Sequence, residues 1–300
     1  MISIRDVSKA FGKHQALSDV GLEIERDELF GVIGPDGAGK TTLIRILATL
    51  LLPDGGEVRI DGLDVVDDYR ALRRILGYMP GRFSLYPDLS VWENLEFFAR
   101  VFGTTVEEGY EWIRPIFEQL EPFRGRRAGA LSGGMKQKLA LSCALIHHPS
   151  VLLLDEPTTG VDAVSRREFW QNLDAIKSAG VTIFVSTPYM DEARRCDRVA
   201  LIQEGRILEV DRPDDLVRRF GRPLFAVRAD RRLALLDALR EHPHVHAAYP
   251  FGETVHVVDR RPSADPREVA HYLRERGLTG VEVVPAEVTI EDVFIDRMQS

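Results

Sequence analysis

The run Phe30-Gly31-Val32-Ile33-Gly34-Pro35-Asp36-Gly37-Ala38-Gly39-Lys40-Thr41-Thr42 carries residue types that bind polyphosphate. Its spacing is G-x-x-x-x-G-K-T, with an apolar stretch before it and a helical pattern at residues 43–50 after it. Glycines let successive backbone N–H groups turn inward towards phosphate oxygens. The N-terminus of the following helix adds partial positive charge. Lys40 is then the point charge for the β- and γ-phosphates, and the Thr41 hydroxyl is a ligand for Mg²⁺. A second pair of chemical residues, Asp155-Glu156, ends the apolar run Val151-Leu152-Leu153-Leu154. Carboxylates at the C-terminal edge of a strand stand where ligands of open α/β sheets bind. Asp155 is read as holding the Mg²⁺ shell and Glu156 as polarising an attacking water. A third stretch, Leu131-Ser132-Gly133-Gly134-Met135-Lys136-Gln137-Lys138, opens a helix with serine and two glycines, a second N-terminus suited to an anion.

The elements around these residues follow from periodicity. Residues 2–7 and 20–24 alternate apolar and polar as paired antiparallel strands do. Between them Phe11-Gly12 could stack on an adenine ring or plug a hairpin. The fully apolar run 151–154 suits a strand buried on both faces of a parallel sheet. Strands at 76–80, 181–186 and 199–203, alternating with helices, predict a mixed sheet covered on both faces. Residues 81–90 read as a loop rich in aromatics and prolines, with Phe83 and Tyr86 free to face a partner. Ser90 and Glu93 form a capping box that opens a helical insertion running to about residue 123. Residues 211–220 read as a helix closing the large domain. Beyond Gly221 the pattern becomes strand, helix, two strands, helix, strand and helix, a small α+β domain. His242, His244 and His246 alternate there as if along one strand face, with His256 nearby, so a metal site is conceivable against a solvated face.

Composition limits the alternatives. A chain of 300 residues with 29% charged residues accommodates one large and one small globular domain. The net charge of −8 argues against a general nucleic-acid binder. Cys143 and Cys196 show no metal-ligand spacing and read as buried thiols of a reducing compartment. No apolar run is long enough to span a bilayer and the N-terminus has no signal-peptide core, so a cytosolic protein is expected, with any membrane role supplied through a partner.

In order along the chain, Phe11, the loop at residues 34–41, the Leu131-Ser132-Gly133-Gly134-Met135 signature, residues 151–155 with Glu156, and Thr159-Gly160-Val161-Asp162 resemble the ATP-binding subunit of ABC transporters over about residues 2–220. The ending Ile290-Glu291-Asp292-Val293-Phe294 is similar to the C-terminal extension in exporter subunits of the daunorubicin-resistance type. The resemblance implies an α/β P-loop NTPase of ABC type over residues 1–220. Such a fold has a mixed sheet with helices, a helical subdomain at about 83–148 and an antiparallel β subdomain. An accessory α+β domain would occupy residues 221–300. It implies ATP and Mg²⁺ as cofactors, with Thr41 and Asp155 on the metal and Glu156 catalytic. Nucleotide contacts would come from Phe11, Gly34, Asp36, Gly37, Ala38, Gly39, Lys40, Thr41 and Thr42, and from Ser132, Gly133, Gly134 and Asp162, which would serve the site of a second subunit. Partners would be an integral-membrane permease and a second ABC ATPase subunit, identical or not, with no nucleic acid. The protein would sit in the cytoplasm, held on the inner face of the cell membrane through the permease. The activity implied is ATP hydrolysis that powers an exporter through dimer closure. Three positions depart from the family pattern: Gly81 replaces a glutamine, Pro188 replaces the switch histidine, and Ala163 stands where proline is common. Neither Gly81 nor Pro188 has a side chain that can orient water or move a proton. These departures raise an alternative, a nucleotide-gated or degenerate half of a heteromeric complex that hydrolyses little ATP itself.

Overall fold

The computed structural model describes residues 1–82 and 84–298. It divides into two compact units, Met1–Pro213 and Asp214–Ser300. The division falls seven residues before the expected boundary at residue 220, because the expected closing helix, Pro213–Arg218, has all but its first residue in the second unit.

In the first unit β1 (Ile2–Phe11) and β2 (His14–Ile24) form a hairpin, so the predicted loop at Phe11 shrinks to Gly12-Lys13. The buried β3 (Leu29–Ile33) leads through the glycine loop into α1 (Lys40–Leu47). Next come β4 (Gly55–Ile60), the short β5 (Leu63–Asp64), α2 (Tyr69–Ile75) and β6 (Leu76–Met79). The helical insertion is two helices, α3 (Val91–Val101) and α4 (Val106–Phe117). Gly103 at φ 75° ends the first, and a Thr105/Glu108 capping box starts the second. After α5 (Gly133–Leu145) come β7 (Val151–Asp155), α6 (Ala163–Ser178), β8 (Thr182–Thr187), β9 (Arg198–Gln203) and β10 (Arg206–Asp211). A 3-10 helix, Met190–Arg195, occupies part of the segment read as a loop.

Two sheets result. The antiparallel one has the order β2-β1-β4-β5, and its inward residues Ile2, Ile4, Val20, Leu22, Val58 and Ile60 join the central core. The larger has the order β10-β9-β3-β8-β7-β6. Its strands from β9 to β6 are parallel, and β10 returns antiparallel at the edge. This is the mixed sheet that the apolar runs predict. The order matters for function: the C-terminal ends of β3 and β7 are separated by one strand, β8. Helix α1 packs on β7 and β8, and α5 packs on α3, α4, α6 and β6. Of the aromatic pair expected to face a partner, Phe83 lies outside the described residues, while the exposed Tyr86 packs edge-on against Phe97 at 4.8 Å.

In the second unit α7 (Pro213–Arg218) precedes β11 (Leu224–Arg228), α8 (Arg232–Arg240), β12 (Val245–Phe251), β13 (Thr254–Asp259), α9 (Pro266–Glu275), β14 (Glu282–Pro285) and α10 (Ile290–Met298). The antiparallel order β12-β13-β11-β14 with β-α-β-β-α-β succession is the split βαβ arrangement. Phe225, Val227, Val255 and Val257 pack with Leu235, Leu239, Val269 and Leu273 as its core. The histidines do not converge. His242 packs edge-on against Tyr272, His246 lies 3.3 Å from Asp296, and His256 is bonded to Asp292. Strand β12 begins only at Val245, so the alternation inferred for 242–246 breaks at a turn. Among the described residues there is no cluster of three or more metal-ligating side chains.

Asp292 joins α10 to the sheet. Its carboxylate accepts from Tyr249 Oη at 2.6 Å, His256 Nδ1 at 2.6 Å and the Thr289 hydroxyl at 2.6 Å. Burial works to raise its pKa, but these hydrogen bonds outweigh it and hold the carboxyl below its ordinary range. A depressed carboxyl contributes stability that is complete above the unfolded value of about 3.9 and is lost as pH falls through the folded value. Asp292→Ala is therefore expected to cost about 3 kcal/mol at neutral pH. Denaturant melts of the full chain from pH 7 to pH 2 should find the penalty shrinking at the acid end; a constant penalty would contradict this account.

Candidate nucleotide site

The loop between β3 and α1 is shaped by close backbone approaches. A Cβ on Gly34 would lie 2.1 Å from the Ile202 carbonyl oxygen, and Gly39, at φ 106°, leaves 2.5 Å between such an atom and the Ala16 carbonyl. No side chain fits at either position. The β9–β10 turn braces the loop from outside, with Gly205 N–H donating to the Ala38 carbonyl at 3.0 Å.

Lys40 is 3% exposed. Its Nζ donates to the Gly34 carbonyl at 2.8 Å and the Pro35 carbonyl at 3.0 Å, and stands 3.2 Å from Glu156 Oε1. Thr41 Oγ1 donates to Asp155 Oδ1 at 3.0 Å. The same carboxylate oxygen accepts from Ser186 Oγ at 2.8 Å. Glu156 has φ 48°, a left-handed conformation that costs a non-glycine residue free energy and persists only where surroundings impose it. Here its N–H is held by the Ser186 carbonyl at 3.1 Å and hydroxyl at 3.0 Å. Ser186 was not singled out from the sequence. It lies at the end of β8 between the two strands that carry the chemistry, a position known only from strand order.

Phe11, His14, Ala16, Gly37, Gly39, Lys40, Thr41, Thr42 and Glu156 line one cavity of about 190 Å³. Phe11 is 51% exposed at this cavity, which favours a stacking surface for a flat ring over a hairpin plug. Gly34, Ala38 and Asp155 are buried and do not line this cavity, and Asp36 is exposed in the loop. Thr41 Oγ1 and Asp155 Oδ1 are adjacent hard oxygen donors, the set that Mg²⁺ takes together with water and phosphate oxygens. These residues fit that ion.

The remaining predicted contacts lie elsewhere. Ser132 caps α5, accepting from Met135 N–H at 3.4 Å. Asp162 caps α6 through Val164 N–H at 3.1 Å and Ser165 N–H at 3.0 Å, and the bonds from Ser165 hold its carboxyl below the usual range. Gly133 lines a second cavity, of about 180 Å³, with Gly81, Thr159, Gly160 and Val161. None of Ser132, Gly133, Gly134 or Asp162 lines the Lys40 cavity.

Gly81 has a packing reason to be glycine. A Cβ there would sit 2.9 Å from the Asp155 carbonyl oxygen, so restoring a glutamine would push on the end of β7. Gly81→Ala is expected to cost about 1–3 kcal/mol through this overlap. An unchanged unfolding midpoint would mean that the segment yields freely.

The ABC transporter family profile matches residues 17–159. Over 287 residues the chain is 39% identical to the "Probable multidrug ABC transporter ATP-binding protein YbhF" of Escherichia coli (strain K12), covering 94% of this chain and 49% of that protein. The chain thus spans about half the length of this relative. It is 34% identical over 301 residues to the "Nod factor export ATP-binding protein I" of Burkholderia lata, covering 98% of this chain and 95% of that one. Among solved structures, an ATP-binding subunit of an ABC transporter superposes with a TM-score of 0.67 at 29% identity, over 74% of this chain and 93% of its own. The ATP-binding cassette MJ0796, in a dimeric post-hydrolysis state bound to ADP and Pi, superposes with a TM-score of 0.65 at 28% identity, over 71% and 98%.

Proposed function

Because the chain belongs to the family of ABC transporter ATP-binding proteins, we propose that it is the ATP-binding and ATP-hydrolysing subunit that powers a membrane exporter. The observation that carries this reading is the convergence of Lys40, Thr41, Asp155 and Glu156 on the loop beside Phe11. Loop N–H groups and Lys40 bind the β- and γ-phosphates, and Phe11 stacks on the base. Thr41 and Asp155 would hold Mg²⁺, which would supply charge neutralisation to the phosphates. Phosphate oxygens compete with Glu156 for Lys40, so nucleotide binding releases the Glu156 carboxylate to face solvent. Glu156 then accepts a proton from a water whose oxygen bonds to the γ-phosphorus as the bond to the ADP oxygen breaks. Both family names among the relatives refer to export or multidrug transport, which supports the exporter direction.

Ser132, Gly133, Gly134 and Asp162 do not line the Lys40 cavity, and we assign them to a second subunit's nucleotide. A second ABC ATPase subunit is accordingly part of the proposal. No helix among the described residues is long and apolar enough to cross a membrane. Attachment to the inner face of the cell membrane would come through a permease. The segment that follows Gly81 and the groove beside it, a cavity of about 700 Å³ that includes Tyr78, Leu85, Phe98, Val101 and Phe102, are the proposed contact. Relatives' names give no support to the low-turnover alternative. The test is to co-express the chain with a candidate integral-membrane permease, purify the pair and measure ATPase activity and substrate efflux in proteoliposomes. A pair that forms but hydrolyses no ATP, or a chain that binds no permease, would overturn the reading.

A further inference from the structure

We propose that Glu192 is a positioning residue for the hydrolytic site, acting through Thr158 on Glu156. This inference rests on the ATPase reading above. Glu192 lies in the 3-10 helix after β8 and is 3% exposed. Its Oε1 accepts from Thr158 Oγ1 at 2.8 Å, its Oε2 accepts from Thr187 Oγ1, and Arg166 Nε on α6 stands 4.0 Å away. A buried carboxylate is costly unless its oxygens are bonded, so the two hydroxyls are held to it firmly. One hydroxyl belongs to the loop 157–162 that follows Glu156, and the other to the end of β8. The carboxylate therefore ties that loop to that strand.

The tie sits close to a strained residue. Glu156 keeps φ 48° because Ser186 grips its N–H on one side. On the other side Pro157, with its fixed φ, is the only residue between Glu156 and Thr158. Holding Thr158 thus fixes the second flank of Glu156. The same carboxylate closes the turn that contains Pro188. Thr187 Oγ1 donates to Glu192 and accepts from Tyr189 N–H at 3.0 Å, so Pro188 sits in a turn bonded on both sides. In a chain without a histidine at 188, this hydrogen-bonded bridge is a second link between the end of β8 and the Glu156 loop, beside the direct grip of Ser186 on the Glu156 N–H. Arg166 also reaches Asp191 at 3.7 Å, which ties the same 3-10 helix to the first turns of α6.

Glu192→Gln and Thr158→Val in the full chain test the proposal. Each is expected to lower kcat by about tenfold, as a displaced catalytic group does, while the dissociation constant for MgATP stays within about twofold. The double variant should be no worse than either single one, because both cut the same link. Hydrogen–deuterium exchange should rise at residues 157–162 and not in β7 or α6. Unchanged kcat would overturn the proposal. So would kcat, nucleotide affinity and Tm falling together, since that is the mark of a merely structural group. If the unmodified chain hydrolyses no ATP, the ATPase reading fails, and exchange at 157–162 still decides the bridge: unchanged protection there overturns it.

Discussion

Lys40→Ala is expected to weaken ATP binding by about a hundredfold or more, the effect of removing one partner from a desolvated, charge-assisted contact. The structure explains why no other side chain of the described lining can take over. Lys40 is buried, points along the loop at the Gly34 and Pro35 carbonyls, and is the cation that lines the cavity with Gly37, Gly39 and Thr41. His14, the other basic side chain of the lining, is exposed at the mouth with Phe11. Titration calorimetry with MgATP measures the loss, and a melting curve of the variant checks that the fold survives. Micromolar binding by Lys40→Ala would remove the phosphate-loop assignment.

Turnover should fall by about 10²- to 10⁴-fold in Glu156→Gln with ATP binding retained, because the amide cannot accept the proton of the attacking water. The replacement is nearly isosteric. Its carbonyl oxygen can still accept from Lys40, and the backbone remains gripped by Ser186, so geometry is kept while basicity is lost. Under the proposed cycle binding closes the dimer and hydrolysis reopens it. Glu156→Gln should therefore accumulate as an ATP-dependent dimer in size-exclusion chromatography. Ordinary turnover by this variant would move the catalytic role to another residue. Combining Lys40→Ala with Glu156→Gln should abolish the dimer, since closure requires bound nucleotide.

The two variants also bear on the 3.2 Å contact between Lys40 and Glu156. In the proposed cycle that pair links the residue that meets phosphate to the residue that activates water. Its loss is not expected to change stability much, because Lys40 Nζ keeps the Gly34 and Pro35 carbonyls as acceptors. The consequence is functional: in the proposed cycle, occupation of the phosphate site precedes release of the carboxylate.

What the sequence determined by itself is local. The β3–loop–α1 unit, the apolar β7 with its two terminal carboxylates, the serine-capped α5 and the accessory succession of strands and helices are all encoded within short windows, where period, glycine placement and capping residues act directly. Even the break between α3 and α4 is written locally, in Gly103 and the Thr105/Glu108 box, although the apolar period runs through it. The tertiary structure decided which windows meet. Thr41 reaches Asp155 across 114 positions because the sheet sets β3 and β7 on either side of β8, a strand order that no window contains. The same order gives Ser186 and Glu192 the contacts on which their proposed roles rest, although an isolated serine or glutamate carries no signal in sequence. Tertiary packing also gives Gly81 its steric reason, through the Asp155 carbonyl, and turns Phe11 towards the phosphate loop. It scatters the histidines of the second unit onto Tyr272, Asp296 and Asp292, because a turn before Val245 breaks their alternation and burial supplies each with its own partner. Chemistry that depends on a residue's type and its immediate neighbours is legible in the chain; chemistry that depends on two strands lying side by side arises only when the sheet has formed.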